Sequence, residues 1–289
     1  MTSSQLTSRA DSSARARKAR SALVSYGGAL LIAIVVFGPL YWMFITAIKP
    51  NVELFTSPPR WFPNDPTLQN FVDVLDPAFL QLLGNSLLVA GATTAVCISL
   101  AVLASYTISR PSGKSGKSVI VVVLVSQLLP PAVLLVPLYR SAESLGLLDS
   151  HAGLIIAYLT FTLPVAIWLL HGFITSIPVE LEESARVDGL SSFRAYFTVI
   201  IPLARPGIAA TAAYIFFTAW QDFMFALVFL TDEDKRTLPL GVLGYIGQYT
   251  INWGQLMAAS ILLLIPILVI FALVQKQFIA GLTAGAVKG

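Results

Sequence analysis

Apolar residues fill six windows of about 20 residues or more, the length that an α-helix needs to cross the hydrocarbon core of a bilayer. The windows cover residues 23–48, 82–108, 119–139, 152–174, 208–230 and 256–274. The first follows a basic stretch, as the core of a secretory signal does. Its uncharged run from Ser21 to Ile48 is far longer than such a core, so we expect it to be retained. The pattern predicts an all-α, polytopic membrane protein with six transmembrane helices.

The composition supports this class. Hydrophobic residues make up 56% of the 289-residue chain and charged residues only 11%, whereas about a quarter of a soluble domain is charged. A soluble enzyme, a nucleic-acid-binding protein and a disordered chain are therefore excluded. The single cysteine, Cys97, excludes a disulfide framework, and with two histidines, His151 and His171, we expect no metal site.

The basic residues set the orientation of the chain. Thirteen of the 18 Lys and Arg fall on one side of the six windows, before the first, after the second and fourth, and after the last. By the positive-inside rule this side is cytoplasmic, so we expect both termini in the cytoplasm. The pI near 9.0 then reflects topology and not nucleic-acid binding.

These windows give the domain organisation. We predict a cytoplasmic tail over residues 1–21, a transmembrane domain over 22–275 with a cytoplasmic loop at 176–206, and a second cytoplasmic tail over 276–289. Of the outer segments, Pro50 to Pro77 suits an irregular cap, and Thr231 to Gln255 either contacts a partner or forms an interfacial aromatic belt. No second half is visible, so the chain resembles half of a translocation unit.

One motif imitates a nucleotide site. Gly113 to Ser118 twice spells Gly-Lys-Ser, the end of a phosphate-binding loop. Such a loop needs an earlier glycine, where this chain has Ile108 and Pro111, and it must join a strand to a helix. We therefore interpret the segment as a basic turn between spans and expect no nucleotide site in this chain.

The cytoplasmic loop has a helix–turn–helix pattern. Pro178 suits a first helical position, and acidic residues in the first turns complement the helix dipole. Gly189 is placed to end this helix in a left-handed cap, and Ser191 to begin a second helix that ends by Pro202. These features predict two short helices joined by a glycine turn.

One face of the first short helix is small and mildly apolar. It consists of Leu181, Ser184, Ala185 and Asp188, and we expect Glu182 and Arg186 to form a solvated i, i+4 pair beside it. The face suits either docking into another protein's groove or resting on the membrane surface. The pattern alone leaves both open.

The loop resembles the EAA motif of permease subunits of bacterial ATP-binding-cassette importers. That pattern is Glu-Ala-Ala, three residues, Gly, nine residues, then Ile-x-Leu-Pro. This chain has Glu183-Ser184-Ala185, then Gly189, then Val199-Ile200-Ile201-Pro202, with conservative departures at three positions. Further similarity to the carbohydrate-uptake branch, and to its MalG-like members, lies at Tyr41-Trp42, Lys49-Pro50, Pro130-Pro131, Thr218 to Phe223 and Gly281 to Gly289.

The resemblance implies a type I importer permease fold in the bacterial plasma membrane. It also implies partners: a second permease, two ATPase subunits that bind ATP and Mg²⁺, and an extracytoplasmic solute-binding protein. The loop would be the coupling helix that an ATPase cleft holds. It implies no catalytic residue in this chain; the coupling residues would be Glu183, Ser184, Ala185, Asp188, Gly189 and Pro202. The tail after Gln275 either contacts the ATPase or is a mobile terminus.

Candidate residues of the substrate path come from polarity within spans. Asp222 is the only carboxylate within a predicted span, where it must face a wet cavity or a partner. Beside it, Trp220 and Gln221 offer a stacking face and an amide to a sugar. Further candidates are Gln127, Asn85 and Tyr158. For each of them, helix-to-helix hydrogen bonding is the alternative.

Prolines also interrupt the predicted spans. Pro130-Pro131, Pro137 and Pro164 free backbone carbonyls, so we expect kinks that form a cavity, a hinge or a static packing feature.

The rivals to a sugar importer are an ion-coupled secondary carrier, an importer permease for a non-sugar solute, and a sensor subunit that transports nothing. A secondary carrier usually places several ionisable groups near the bilayer midplane, and here only Asp222 qualifies.

Overall fold

The computed structural model describes residues 3–109, 115–247 and 250–286, and the side chains of residues 24–109, 118–247 and 250–275. The fold is all-α, as predicted. The chain divides into two compact units, Met1–Val74 with Tyr249–Ile261, and Leu75–Gln248 with Leu262–Gly289. Part of the Gly113 to Ser118 turn and the side chains of both predicted tails lie outside the described residues.

The first unit is built on a single long helix. It contains helix α1 (Ser3–Ala47), a 3₁₀ turn (Asn51–Glu53), α2 (Gln69–Val74) and the first turns of the C-terminal helix, which begins at Trp253. The buried side chain of Asn70 donates from Nδ2 to the carbonyls of Ala47 and Lys49 at 2.9 and 3.0 Å. These bonds satisfy carbonyls that the end of α1 leaves free.

The outer segment of this unit is fixed by its own side chains. Lys49, although buried, donates to the Arg60 carbonyl at 2.5 Å and lies 4.9 Å from the centroid of the Trp42 ring. Buried Glu53 accepts from the Asn64 N–H at 3.0 Å. Polar side chains therefore hold this irregular, proline-containing segment in one conformation.

The second unit contains the other helices. These are α3 (Pro77–Ser109), α4 (Ser115–Ser126), α5 (Pro131–Ser144), α6 (His151–Thr175), α7 (Glu180–Val187), α8 (Ser192–Ala195), α9 (Ile201–Leu203), α10 (Arg205–Trp220), α11 (Met224–Phe229), α12 (Leu238–Gly241) and the later part of α13 (Trp253–Ala286). A π-helical segment, Tyr196–Ile200, joins α8 to α9.

Four helices of the described chain are long and apolar enough to cross a membrane, and up to six spans result if each of two bent pairs counts as one. The third predicted window is one such pair. α4 ends at Ser126, α5 begins at Pro131, and the two meet at 91°. The break lies at Pro130-Pro131, where the sequence predicts a kink, because proline cannot continue the hydrogen-bond pattern of the preceding helix. Pro137 and Pro164, by contrast, lie inside α5 and α6.

The fifth window also differs from its prediction. α10 begins at Arg205 and ends at Trp220, and α11 begins only at Met224, so no single helix covers 208–230. The second bent pair is instead Ser192–Leu203 with Arg205–Trp220, at 75°. The bend lies at Ala204, where the loop of residues 176–206 meets α10.

The core of the second unit lies where α3, α6 and α10 meet the loop of residues 176–206. α3 contributes Cys97 and Ala101, α6 contributes Leu170 and Ile174, and the π-helical segment contributes Tyr196 and Ile200. Small residues on α3 let the loop approach closely, so the loop's second half is packed into the bundle and does not lie beside it.

Candidate coupling loop and substrate path

The first helix of the loop begins two residues later than predicted. α7 begins at Glu180 with Val179 as its N-cap, so Pro178 precedes the cap. Glu180, Glu182 and Glu183 do lie in the first turn, where the helix dipole favours carboxylates.

Gly189 ends α7 in the left-handed conformation, with φ of +91°. Its N–H donates to the Arg186 carbonyl at 3.0 Å, and the Leu190 N–H donates to the Ala185 carbonyl at 3.1 Å. This pair of bonds is the Schellman motif, which glycine permits because it has no Cβ. The glycine turn is therefore built as the sequence predicts.

Ser191 begins the second helix of the loop, and its Oγ accepts from the Arg194 N–H at 3.3 Å. That helix widens into the π-helical segment and ends at Leu203, so Pro202 lies within its last turn and not after it. Because proline has no N–H, it removes one i to i−4 hydrogen bond at this point. The missing bond coincides with the wider π-helical turn.

The inward face of α7 differs from the prediction. Glu182 is 6% exposed and Ala185 is 7% exposed. Glu182 Oε1 accepts from the Tyr106 hydroxyl at 3.2 Å, so Glu182 is not the solvated residue that the sequence predicts. Ala185 lies on the same inward face, three residues on, and its small side chain lets α7 approach its own bundle.

The outward face of the loop carries exposed apolar side chains. Val187 is 88% exposed and Phe193 is 61% exposed, and Leu181 is also exposed. A shallow depression is lined by Glu183, Arg186 and Val187. Exposed apolar side chains on a short loop are typical of an interaction surface.

Asp222, a candidate for the substrate path, lies between α10 and α11. Its Oδ2 accepts from the Tyr158 hydroxyl at 2.8 Å and from the N–H groups of Phe225 and Ala226 at 3.0 and 3.2 Å. The carboxyl thus caps α11 and anchors it to α6. Asp222 and Tyr158 bond to each other, which corresponds to the helix-to-helix alternative.

The other candidates separate into buried and exposed residues. Trp220 is 1% exposed, stacks on Phe216 with ring centroids 5.5 Å apart, and donates from Nε1 to the Leu263 carbonyl. Its ring is therefore not available to a sugar. Asn85 donates to the carbonyls of Asp234 and Arg236. Gln221 and Gln127 are exposed, each at a helix break.

Sequence reasoning missed the residues that fix the outer loop. Asp149, with φ of 56°, accepts through Oδ1 from the N–H groups of Thr231 and Asp232 at 3.0 and 2.9 Å, and Lys235 Nζ lies 3.9 Å from its Oδ2. The N–H of Asp232 has the largest effect in lowering the pKa of Asp149, followed by that of Thr231 and the charge of Lys235. The sequence feature that could have indicated this role is an aspartate within a polar turn, Asp149-Ser150.

Comparison with known proteins places the chain in a family. The model of the family described as "Binding-protein-dependent transport system inner membrane component" matches residues 97–283. The chain is 36% identical over 262 residues to the diacetylchitobiose uptake system permease protein DasC of Streptomyces coelicolor, covering 90% of this chain and 95% of the relative. It is 36% identical over 266 residues to the trehalose/maltose transport system permease protein MalG of Thermococcus litoralis, covering 91% and 95%.

Solved structures support the same fold. A chain of the bacterial ABC transporter involved in the import of the acidic polysaccharide alginate superposes with a TM-score of 0.79 at 20% identity, covering 90% of this chain and 97% of that one. A chain of the MetNI methionine ABC transporter gives 0.53 at 18% identity, covering 70% and 97%. The predicted type I importer permease fold is confirmed. The chain belongs to the family of inner-membrane permease components of binding-protein-dependent, ATP-binding-cassette transport systems.

Proposed function

We propose that this chain is one half of the membrane pathway of a sugar importer. It moves a sugar or related polyol across the bacterial plasma membrane, and ATP hydrolysis on separate subunits drives the movement. Its partners are a second permease, two ATPase subunits that bind ATP and Mg²⁺, and an extracytoplasmic solute-binding protein. Both termini face the cytoplasm, because the basic residues concentrate on that side.

The observation that carries this proposal is that α7 is packed on one face and exposed on the other. Its inner face is held to the bundle at Glu182 and Ala185, and the Gly189 turn fixes its end, while Val187 on the outer face is 88% exposed. A short helix that is fixed on one side and presents apolar and acidic side chains on the other suits a cleft in a partner protein. Docking is favoured over resting on the membrane surface because the exposed face also carries Glu183.

The coupling residues have distinct parts in this arrangement. Glu183 contacts the ATPase, and Ser184, whose hydroxyl is satisfied by the Glu180 carbonyl at 2.8 Å, presents a small surface beside it. Ala185 lets α7 lie close to its own bundle, and Asp188 and Gly189 form the turn. Pro202, before the bend at Ala204, joins the loop to α10.

The sugar class is supported by the relatives, whose names specify diacetylchitobiose and trehalose or maltose. Within this chain, Gln221 and Gln127 are the path candidates with exposed amides. An amide offers both a donor and an acceptor, which is the pairing that a sugar hydroxyl needs. Asp222, Tyr158, Asn85 and Trp220 support the path by fixing the helices around it.

The test is purification of the chain with its neighbours, followed by uptake in proteoliposomes. We expect a P-loop ATPase to co-purify with the chain. We also expect uptake of at least one sugar from a panel of diacetylchitobiose, trehalose and maltose, and this uptake should require ATP on the cytoplasmic side of the membrane. Uptake by the chain alone, driven by a proton or sodium gradient, would show a secondary carrier. ATP-driven uptake of a non-sugar solute in place of the whole panel would refute the substrate class alone.

A further inference from the structure

The inner end of α3 is bonded to both halves of the cytoplasmic loop. Tyr106, one turn before α3 ends at Ser109, donates from its hydroxyl to Glu182 Oε1 on α7 at 3.2 Å. Its ring lies against the ring of Tyr196 in the π-helical segment, with centroids 4.2 Å apart and an interplanar angle of 37°. A single side chain thus touches the loop before and after the Gly189 turn.

Tyr196 also contacts α3. It is fully buried, and its hydroxyl donates to the Val102 carbonyl at 2.8 Å. Val102 lies four residues before Tyr106, so its carbonyl is also the position to which the Tyr106 N–H is directed in a regular helix. The two tyrosines therefore join the loop to one and the same turn of α3.

The burial of these groups makes the connection stiff. Glu182 is buried on the inward face of α7, and Tyr196 belongs to the cluster in which Cys97, Ala101 and Val102 of α3 pack. Closely packed elements move as a body because their side chains have few alternative arrangements. A displacement of α7 is then transmitted to α3 directly as well as along the chain to α10.

We propose that Tyr106 is a positioning residue for energy coupling, and that it makes the inner end of α3 move with the loop during the ATPase cycle. The inference rests on the proposed function and adds a second route to it. The chain connection through Ala204 moves α10, and the Tyr106 contacts with Glu182 and Tyr196 move α3. Loss of the hydroxyl contact weakens the connection between α3 and α7, while the contacts of Tyr196 with α3 and the binding of the ATPase remain.

The test uses the assembled transporter in proteoliposomes, with radiolabelled diacetylchitobiose, trehalose or maltose, whichever the panel above identifies. The measured quantity is sugar transported per ATP hydrolysed. Tyr106→Phe keeps the ring against Tyr196 but removes the donor, and we expect the ratio to fall severalfold because α3 then follows the loop less closely. Tyr26→Phe, the same change at a side chain 76% exposed on α1, should leave the ratio unchanged.

Substitutions at Glu182 separate the hydrogen bond from other roles. Glu182→Gln keeps an oxygen that accepts from Tyr106, so most of the coupling should remain, whereas Glu182→Met should lower the ratio as Tyr106→Phe does. The double variant Tyr106→Phe with Glu182→Met should lose less than the sum of the two single losses, because both substitutions remove the contact between these two side chains. Additive losses, or a Glu182→Gln variant as impaired as Glu182→Met, would overturn the proposal.

A second readout needs no sugar. Thr107, next to Tyr106, is exposed, whereas the native Cys97 is fully buried. A cysteine introduced at position 107 is therefore the thiol that a maleimide reaches. We expect ATP with vanadate to change the rate of maleimide labelling of Thr107→Cys, and this change to become smaller when Tyr106→Phe is added. An equal change in both backgrounds refutes the inference. Failure of the unmodified transporter to hydrolyse ATP refutes the proposed function instead.

Discussion

Tyr158 and Asp222 form a hydrogen bond of 2.8 Å between α6 and the break that follows α10, across 64 residues of sequence. The same carboxyl oxygen accepts from two N–H groups at the start of α11. The pair holds the broken helix in place, since it satisfies polar groups that water does not reach in a membrane. Two residues that the sequence suggested as substrate contacts therefore have a structural part.

Tyr158→Phe removes the donor and should lower the free energy of unfolding by about 1–2 kcal/mol, the range for a buried hydrogen bond whose partner stays in place. The measurement is thermal unfolding of the detergent-solubilised transporter, with Tyr214→Phe on α10 as the matched control. A Tyr158→Phe variant with normal stability and a raised KM for sugar would show instead that the hydroxyl contacts substrate.

Trp220 and its neighbour Gln221 should respond differently to substitution. Trp220→Phe removes a buried indole and its bond to the Leu263 carbonyl, so we expect a loss of about 1–3 kcal/mol in stability. Gln221→Ala, at an exposed position, should change stability by less than about 0.5 kcal/mol while altering the KM for uptake. Unfolding and uptake curves on both variants decide the matter. The reverse pattern would contradict the assignment of Gln221 to the path.

Gly207, at the start of α10, packs closely against α6. A Cβ at this position would lie 2.3 Å from Cγ of Phe173, so Gly207→Ala must displace the ring. Overpacking of this kind costs about 1–3 kcal/mol. Gly172→Ala, where a Cβ meets nothing within 4 Å, is the control and should be neutral. Adding Phe173→Leu should restore part of the stability that Gly207→Ala loses, and no restoration would argue against the steric explanation.

Gly189 permits a test of the coupling turn by backbone conformation alone. A Cβ there meets no atom within 4 Å, so only the φ of +91° penalises a side chain. Gly189→Val should abolish ATP-driven uptake without preventing membrane insertion, because a β-branched residue avoids this region. Gly189→Asn should retain much of the activity, because asparagine tolerates it. Equal uptake by the valine variant and the unmodified transporter would exclude the turn from coupling.

The outer loop should show a dependence on pH through Asp149. Backbone N–H groups and Lys235 lower the pKa of Asp149 in the folded state. Its contribution to stability is then present above the unfolded pKa of about 3.9 and is lost as the pH falls through the lower folded pKa. Asp149→Asn keeps the acceptor oxygen and tolerates the φ of 56°.

We therefore expect the asparagine variant to unfold at a lower temperature than the unmodified chain at pH 7. The difference between the two should shrink as the pH falls below about 4, since the aspartate then loses its charge. Thermal unfolding over this pH range measures the effect. A difference that grows on acidification would mean that ionised Asp149 destabilises the loop.

Features that depend on neighbouring residues were predictable from the sequence. Long apolar windows predict membrane helices, because an α-helix satisfies its own backbone within four residues along the chain. The Gly189 turn and the Ser191 cap were predictable for the same reason, since each bond spans five residues or fewer. The charge asymmetry and the motif from Glu183 to Pro202 are also local, and they were sufficient to indicate the family.

The direction in which each side chain faces depends on contacts between distant segments. Glu182 is buried because Tyr106 lies 76 residues earlier in the chain and reaches it. Trp220 faces the core because the Leu263 carbonyl, 43 residues later, accepts its N–H. A polar residue in an apolar helix bonds either to substrate or to another helix, and its own neighbourhood is the same in both cases. Only the packing of distant segments supplies the partner, and so only packing separates Gln221 and Gln127 from the residues that hold the helices together.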